Sequence, residues 1–122
     1  MAAYIPLILS GVFLNAFAQL LLKKGMLNIG HFEFTLSNAP PVALAAALSP
    51  FIILALACYV VSVVIWMLAL SRVDVSFAYP FLSVGYIITA VIGYLVFNEH
   101  LSAIRISGIA TICIGVFLIS RS

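Results

Sequence analysis

Asn15, Gln19 and Lys23 recur every fourth residue, which sets all three on one helical face of an otherwise apolar run. Uncharged amides in hydrocarbon are costly unless paired. Two roles would keep Asn15 and Gln19 there: a hydrogen bond that ties helices together, or a polar wall that meets a substrate headgroup. Lys23 and Lys24 close the run, either as interfacial anchors or as charges that attract an anionic phosphate. Two more faces carry polar and aromatic groups. Tyr59, Ser62 and Trp66 fall at i, i+3 and i+7, and Tyr79, Ser83 and Tyr86, at i, i+4 and i+7, make a face of the same kind. Trp66 and Tyr86 lie deeper than an interfacial belt. A cleft walled by such rings suits a cation, a sugar face or an isoprenoid chain; taken singly, each ring is equally a packing residue. Arg72 is a further surface cation beside a tight turn. Gly108, Thr111 and Gly115 form a small-residue stripe of the kind that lets membrane helices approach closely. That stripe is read as a dimer contact, with packing inside one four-helix unit as the alternative.

Other chemistries lack their residues. Glu33, Asp74 and Glu99 all fall in loops or at the ends of runs, whereas a proton-coupled pump places an ionisable group inside the membrane. His31 and His100 are loop residues too, and His31-Phe32-Glu33 is too weak a pattern for a metal site. There is no phosphate-cradling glycine loop, no zinc-protease motif and no nucleophile beside a base. The sequence therefore calls for no metal, no cofactor and no enzyme activity. Cys58 and Cys113 sit mid-run as core filler. A formal charge of +2 without a basic stripe does not point to nucleic acid.

The elements that must position these residues are membrane spans. Hydrophobic residues make up 66% of the chain and charged residues 7%, with a mean hydropathy of +1.36. A soluble domain carries about 25% charged residues, so this chain cannot cover a water-facing surface. A spanning helix needs about 20 apolar residues. Four runs have that length: Tyr4 to Leu22, Phe51 to Leu70, Val75 to Phe97, and Leu101 to Ser120. Only Arg105 interrupts the last, one turn from its start, where it can snorkel to the interface. Helix is the default because backbone groups in lipid must be satisfied within the segment. The expected fold is an all-α integral membrane domain over residues 1–122, with spans at about 4–22, 51–70, 75–97 and 101–120. The first run lacks a preceding basic region, so it reads as a span and not as a cleaved signal peptide.

The first connection, Lys23 to Ser49, is long, and Pro40 to Leu48 within it reads as a short Ala-rich helix or a membrane-surface segment. Ser71 to Asp74 and Asn98 to His100 are tight. Pro80, with Ser83 and Gly85 nearby, predicts a kink in the third span. Orientation is weakly encoded: Lys23, Lys24 and Arg105 on one side oppose Arg72 and Arg121 on the other. A single orientation and a dual topology both fit.

Read as a whole, the chain resembles the small multidrug resistance proteins and the wider drug/metabolite transporter superfamily. The resemblance lies in Leu14-Asn15-Ala16-Phe17-Ala18-Gln19-Leu20-Leu21-Leu22-Lys23, in Trp66, in Val75-Ser76-Phe77-Ala78-Tyr79-Pro80-Phe81-Leu82-Ser83, and in Phe97-Asn98-Glu99-His100-Leu101-Ser102 leading to Gly108 and Gly115. The multidrug exporters carry a membrane-embedded glutamate in their first helix. The matching position here is Asn15, which cannot titrate. With Gln19 and the Ala78 to Ser83 stretch, the chain looks more like the subunits of the flippase for 4-amino-4-deoxy-L-arabinose-phosphoundecaprenol, EamA-like in kind. That resemblance implies a polyprenyl-phosphate-linked aminosugar as substrate, moved across the bacterial inner membrane. It also implies pairing into an eight-helix homodimer or heterodimer with a related small membrane protein. The chemistry of the residues themselves suggests the path for that substrate, lined by Asn15, Gln19, Lys23, Trp66, Arg72, Tyr79, Ser83 and Tyr86. Two other functions stay open: an exporter of cationic small molecules or polyamines, and a non-transporting subunit of a membrane glycosyltransferase.

Overall fold

A computed structural model of the chain describes residues 2–122. All its regular structure is helical, and four of the helical stretches are long and apolar enough to cross a membrane. After a 3-10 turn at Ala2–Tyr4, helix α1 runs over Ile5–Ile29, with proline in its first turn where no intrahelical N–H is needed. It continues two turns past the apolar run that ends at Leu22. Lipid selects the apolar part, but the helix itself stops only where Gly30 adopts φ 88°. Helix α2, Ala39–Leu48, is the short Ala-rich element of the first connection. Helix α3 spans Pro50–Leu70, and the Ser49 hydroxyl accepts from the Ile52 amide at its start.

The third span is built from three pieces. Helix α4 covers Val75–Ala78, a 3-10 stretch covers Tyr79–Ser83, and α5 covers Val84–Phe97. Pro80 offers no N–H to a carbonyl one turn back, and the chain tightens there instead of continuing as α-helix. Asn98 then ends α5 in the left-handed conformation, φ 55° and ψ 32°, and the Glu99 amide donates to the Gly93 carbonyl at 3.0 Å. Helix α6 covers Ala103–Ser120. It begins two residues after the apolar run does, because the Ser102 hydroxyl accepts from the Arg105 amide at 3.1 Å and caps it.

Small residues set the packing. A Cβ added at Gly11 would stand 3.3 Å from Ile65 Cγ2, and one at Gly25 would collide with Ile52 Cγ1. These two pairings run in opposite sequence order, so α1 and α3 are antiparallel neighbours. Gly85 brings α5 against Val12 and Ala16 of α1, where a Cβ would stand at 3.7 and 3.8 Å. The buried core lies toward one end, where Ile8, Val12, Ala69, Val73, Phe77, Ala78 and Phe81 meet. Val116 and Ile119 fasten the last turns of α6 onto that core. The rest of α6 is loosely held: Ile104 is 86% exposed, and nothing lies within 4 Å of a Cβ at Gly108 or Gly115.

Candidate functional site

The Gln19 amide Nε2 donates to Asn15 Oδ1 at 3.3 Å, so the two side chains brace one another along α1. Each amide keeps further donors and acceptors free. They open onto two clefts. One, of about 250 Å3, lies between α1 and α5 and is lined by Asn15, Gln19, Gly85, Tyr86 and Thr89 among others. The second, of about 350 Å3, lies between α1, α3 and the 3-10 stretch and is lined by Asn15, Gln19, Tyr59, Ser62, Trp66 and Tyr79. Gly11 lines the second cleft and Gly85 the first, each without a side chain to fill it.

Trp66 and Tyr79 meet edge to face, with centroids 6.5 Å apart and planes at 71°. The Ser62 hydroxyl, in a 4% exposed side chain, donates back to the Tyr59 carbonyl at 2.7 Å, and the Thr89 hydroxyl donates to the Gly85 carbonyl at 2.9 Å. Both are tethered to their own helix and present only lone pairs to the clefts. Together the clefts offer amide hydrogen bonds beside aromatic walls, which is recognition chemistry suited to a polar ring attached to an apolar tail.

The charged residues divide by end. Lys23 Nζ lies 3.6 Å from Glu99 Oε1, joining α1 to the corner between α5 and α6. Lys24 turns the other way and stands 6.0 Å over the Phe51 ring. Arg72 is exposed in the turn after α3, beside the buried core and so at the opposite end from Lys23. Ser83, half-buried at the end of the 3-10 stretch, lines neither amide cleft. Of the residues singled out in the sequence, Asn15, Gln19, Trp66, Tyr79 and Tyr86 thus come together, Lys23 stands one turn beyond, and Arg72 and Ser83 stand apart. Thr89 is a lining residue that the sequence reading did not name. Its signal was there, since it continues the Ser83–Tyr86 face by three residues.

Gly108 and Thr111 are exposed, and Gly115 is half-exposed. With no neighbour for a Cβ at either glycine, replacing Gly108 and Gly115 together with leucine, a better helix former, should not lower the isolated chain's stability. If α6 pairs with another chain, the same change should shift the protein to monomer by sedimentation in detergent. An unchanged oligomeric state would remove the stripe from the interface.

Fold and site together define a small multi-pass membrane protein of the transporter class. The chain belongs to the EamA-like transporter family, whose pattern it matches over residues 1–121. It is 35% identical over 116 residues to a probable 4-amino-4-deoxy-L-arabinose-phosphoundecaprenol flippase subunit ArnF of Sodalis glossinidius, covering 91% of this chain and 85% of that one. It is 38% identical over 81 residues to a probable flippase subunit of the same description, ArnE, of Pseudomonas savastanoi, covering 66% of this chain and 71% of the relative. A further ArnF relative, from an Enterobacter species, is 31% identical over 119 residues, 91% of this chain and 89% of its own. No solved structure matches.

Proposed function

We propose that this chain is one half of a flippase that carries a polyprenyl-phosphate-linked aminosugar across the bacterial inner membrane. The observation that carries the reading is the Asn15–Gln19 pair opening onto two clefts within the bundle. The names of the ArnE and ArnF relatives supply the substrate class. A lipid-linked sugar presents a polar ring, an anionic phosphate and a long apolar tail. Only the headgroup must be shielded, because the tail stays in lipid throughout. Four spans leave the clefts open at the side, and a second chain, identical or related, closes them. Asn15 and Gln19 hydrogen-bond the sugar, Trp66, Tyr79 and Tyr86 wall it, and Lys23 attracts the phosphate. Arg72 serves the mouth at the other end, and Ser83 supports the turn that carries Tyr79.

The test is lipid flipping in vesicles containing this protein alone, and then with a related small chain added. The substrates are an aminosugar-linked and an unmodified polyprenyl phosphate. Translocation of the aminosugar lipid in either format is the expected result. Transport of an organic cation without translocation of either lipid would overturn the reading in favour of an exporter.

A further inference from the structure

The Glu99 carboxylate is held in place by the same features that end α5. The left-handed residue Asn98 and the bond from the Glu99 amide to the Gly93 carbonyl turn the side chain back along α5. There it lies across the bare backbone of Gly93. A Cβ at that position would stand 2.5 Å from Glu99 Oε2 and 3.3 Å from Cδ. The carboxylate thereby reaches Lys23 at 3.6 Å, with both side chains nearly half-exposed. It also lines a cleft of about 390 Å3 between α5 and α6, together with Arg105, Tyr86 and Thr89. Tyr86 and Thr89 line the α1–α5 cleft as well, so the two hollows share a wall. Lys23 lies one helical turn, about 6 Å, beyond Gln19 on the same face.

We infer that Glu99 is a built-in stand-in for the substrate's phosphate: it occupies Lys23 until a polyprenyl-phosphate headgroup displaces it, and its displacement releases the α5–α6 corner from α1. This rests on the reading of the site as one for a lipid-linked sugar. An exposed ion pair is weak and exchangeable, and the phosphate of a lipid-linked sugar, a diester with one charge over two free oxygens, can take the place of a carboxylate on the one ammonium. Glu99 therefore sets the affinity for anionic headgroups as an internal competitor, and Lys23 is the position it competes for.

The experiment measures binding of undecaprenyl phosphate and of uncharged undecaprenol to the full chain in detergent. A parallel spin-label distance is taken between Leu27→Cys on α1 and His100→Cys at the corner, with Cys58 and Cys113 replaced by serine. Glu99→Gln should bind undecaprenyl phosphate about fivefold more tightly, the scale set by losing an exposed ion pair. It should also show the released distance without lipid. Gly93→Ala should move both readouts the same way, because its Cβ evicts the carboxylate while leaving it charged. In the unaltered protein undecaprenyl phosphate should lengthen the distance and undecaprenol should not. Lys23→Gln should abolish that response. Equal affinity in the unaltered, Glu99→Gln and Gly93→Ala proteins, or a distance indifferent to undecaprenyl phosphate, would overturn the inference. If these readouts respond but no aminosugar lipid is flipped in vesicles, the functional reading falls and the displacement stands. If flipping proceeds and the readouts do not respond, the reverse holds.

Discussion

A chain carrying Gln19→Leu should insert and keep its helical content while flipping of the aminosugar lipid falls about tenfold or more. Gln19 is exposed to the clefts, and its one hydrogen bond is to Asn15 on its own helix. Its loss strands no buried group, so the fold should not respond. The clefts would lose a side chain whose remaining donors and acceptor are free for a sugar. Each such bond contributes about 1 kcal/mol, and somewhat more where lipid excludes water; two of them amount to about tenfold or more in rate if they form at the barrier. Asn15→Leu should act in the same direction, since both amides face the same two hollows. Circular dichroism and flipping on one preparation check this. Full transport by both variants would remove the amide pair from the path.

Gly25→Ala should lower the stability of the bundle by about 1 to 3 kcal/mol, the range of overpacked cores. The new methyl would collide with Ile52 Cγ1 and stand 3.1 Å from its Cδ1, and Ile52 is 7% exposed with little room to move. Either the side chain leaves its rotamer or α1 and α3 separate at the end that carries Lys23. Ile52→Ala carries a cost of its own, but the double variant should lose much less than the sum of the two singles, because the alanine at 52 vacates the space that the methyl needs. The measurement is the denaturation midpoint in detergent for the two single variants and the double. Additive losses would mean that the two residues do not share that contact.

The four spans were legible because lipid enforces them: without charge to meet water, runs of about 20 apolar residues have one stable backbone solution. The ends were less so. Leu22 marks where lipid stops, but α1 persists to Ile29 because Lys23, Lys24 and Met26 are good helix formers and the first breaking conformation comes at Gly30. Pro80 signalled an irregularity, and the 3-10 stretch over Tyr79–Ser83 is the form it takes. The face of Asn15 and Gln19 was readable from a spacing of four. The pairing of Lys23 with Glu99 was not, since it joins residues 76 positions apart through one left-handed residue and one bare glycine. Nor could spacing separate Ser83 from Tyr86, because the 3-10 winding changes the angular step between residues within that stretch.

The loosely held helix α6 has a consequence for how any assay is read. Its apolar length takes it into the bilayer, but few contacts bind most of it to its own chain. If its small-residue stripe meets a second chain, assembly obeys mass action in two dimensions. The governing variable is then the number of chains per unit area of membrane, not their concentration in the tube. Diluting the protein with lipid at constant total amount should lower the turnover of each chain, steeply once pairs outnumber singles no longer. Two chains fused end to end by a linker able to cross back would be indifferent to that dilution.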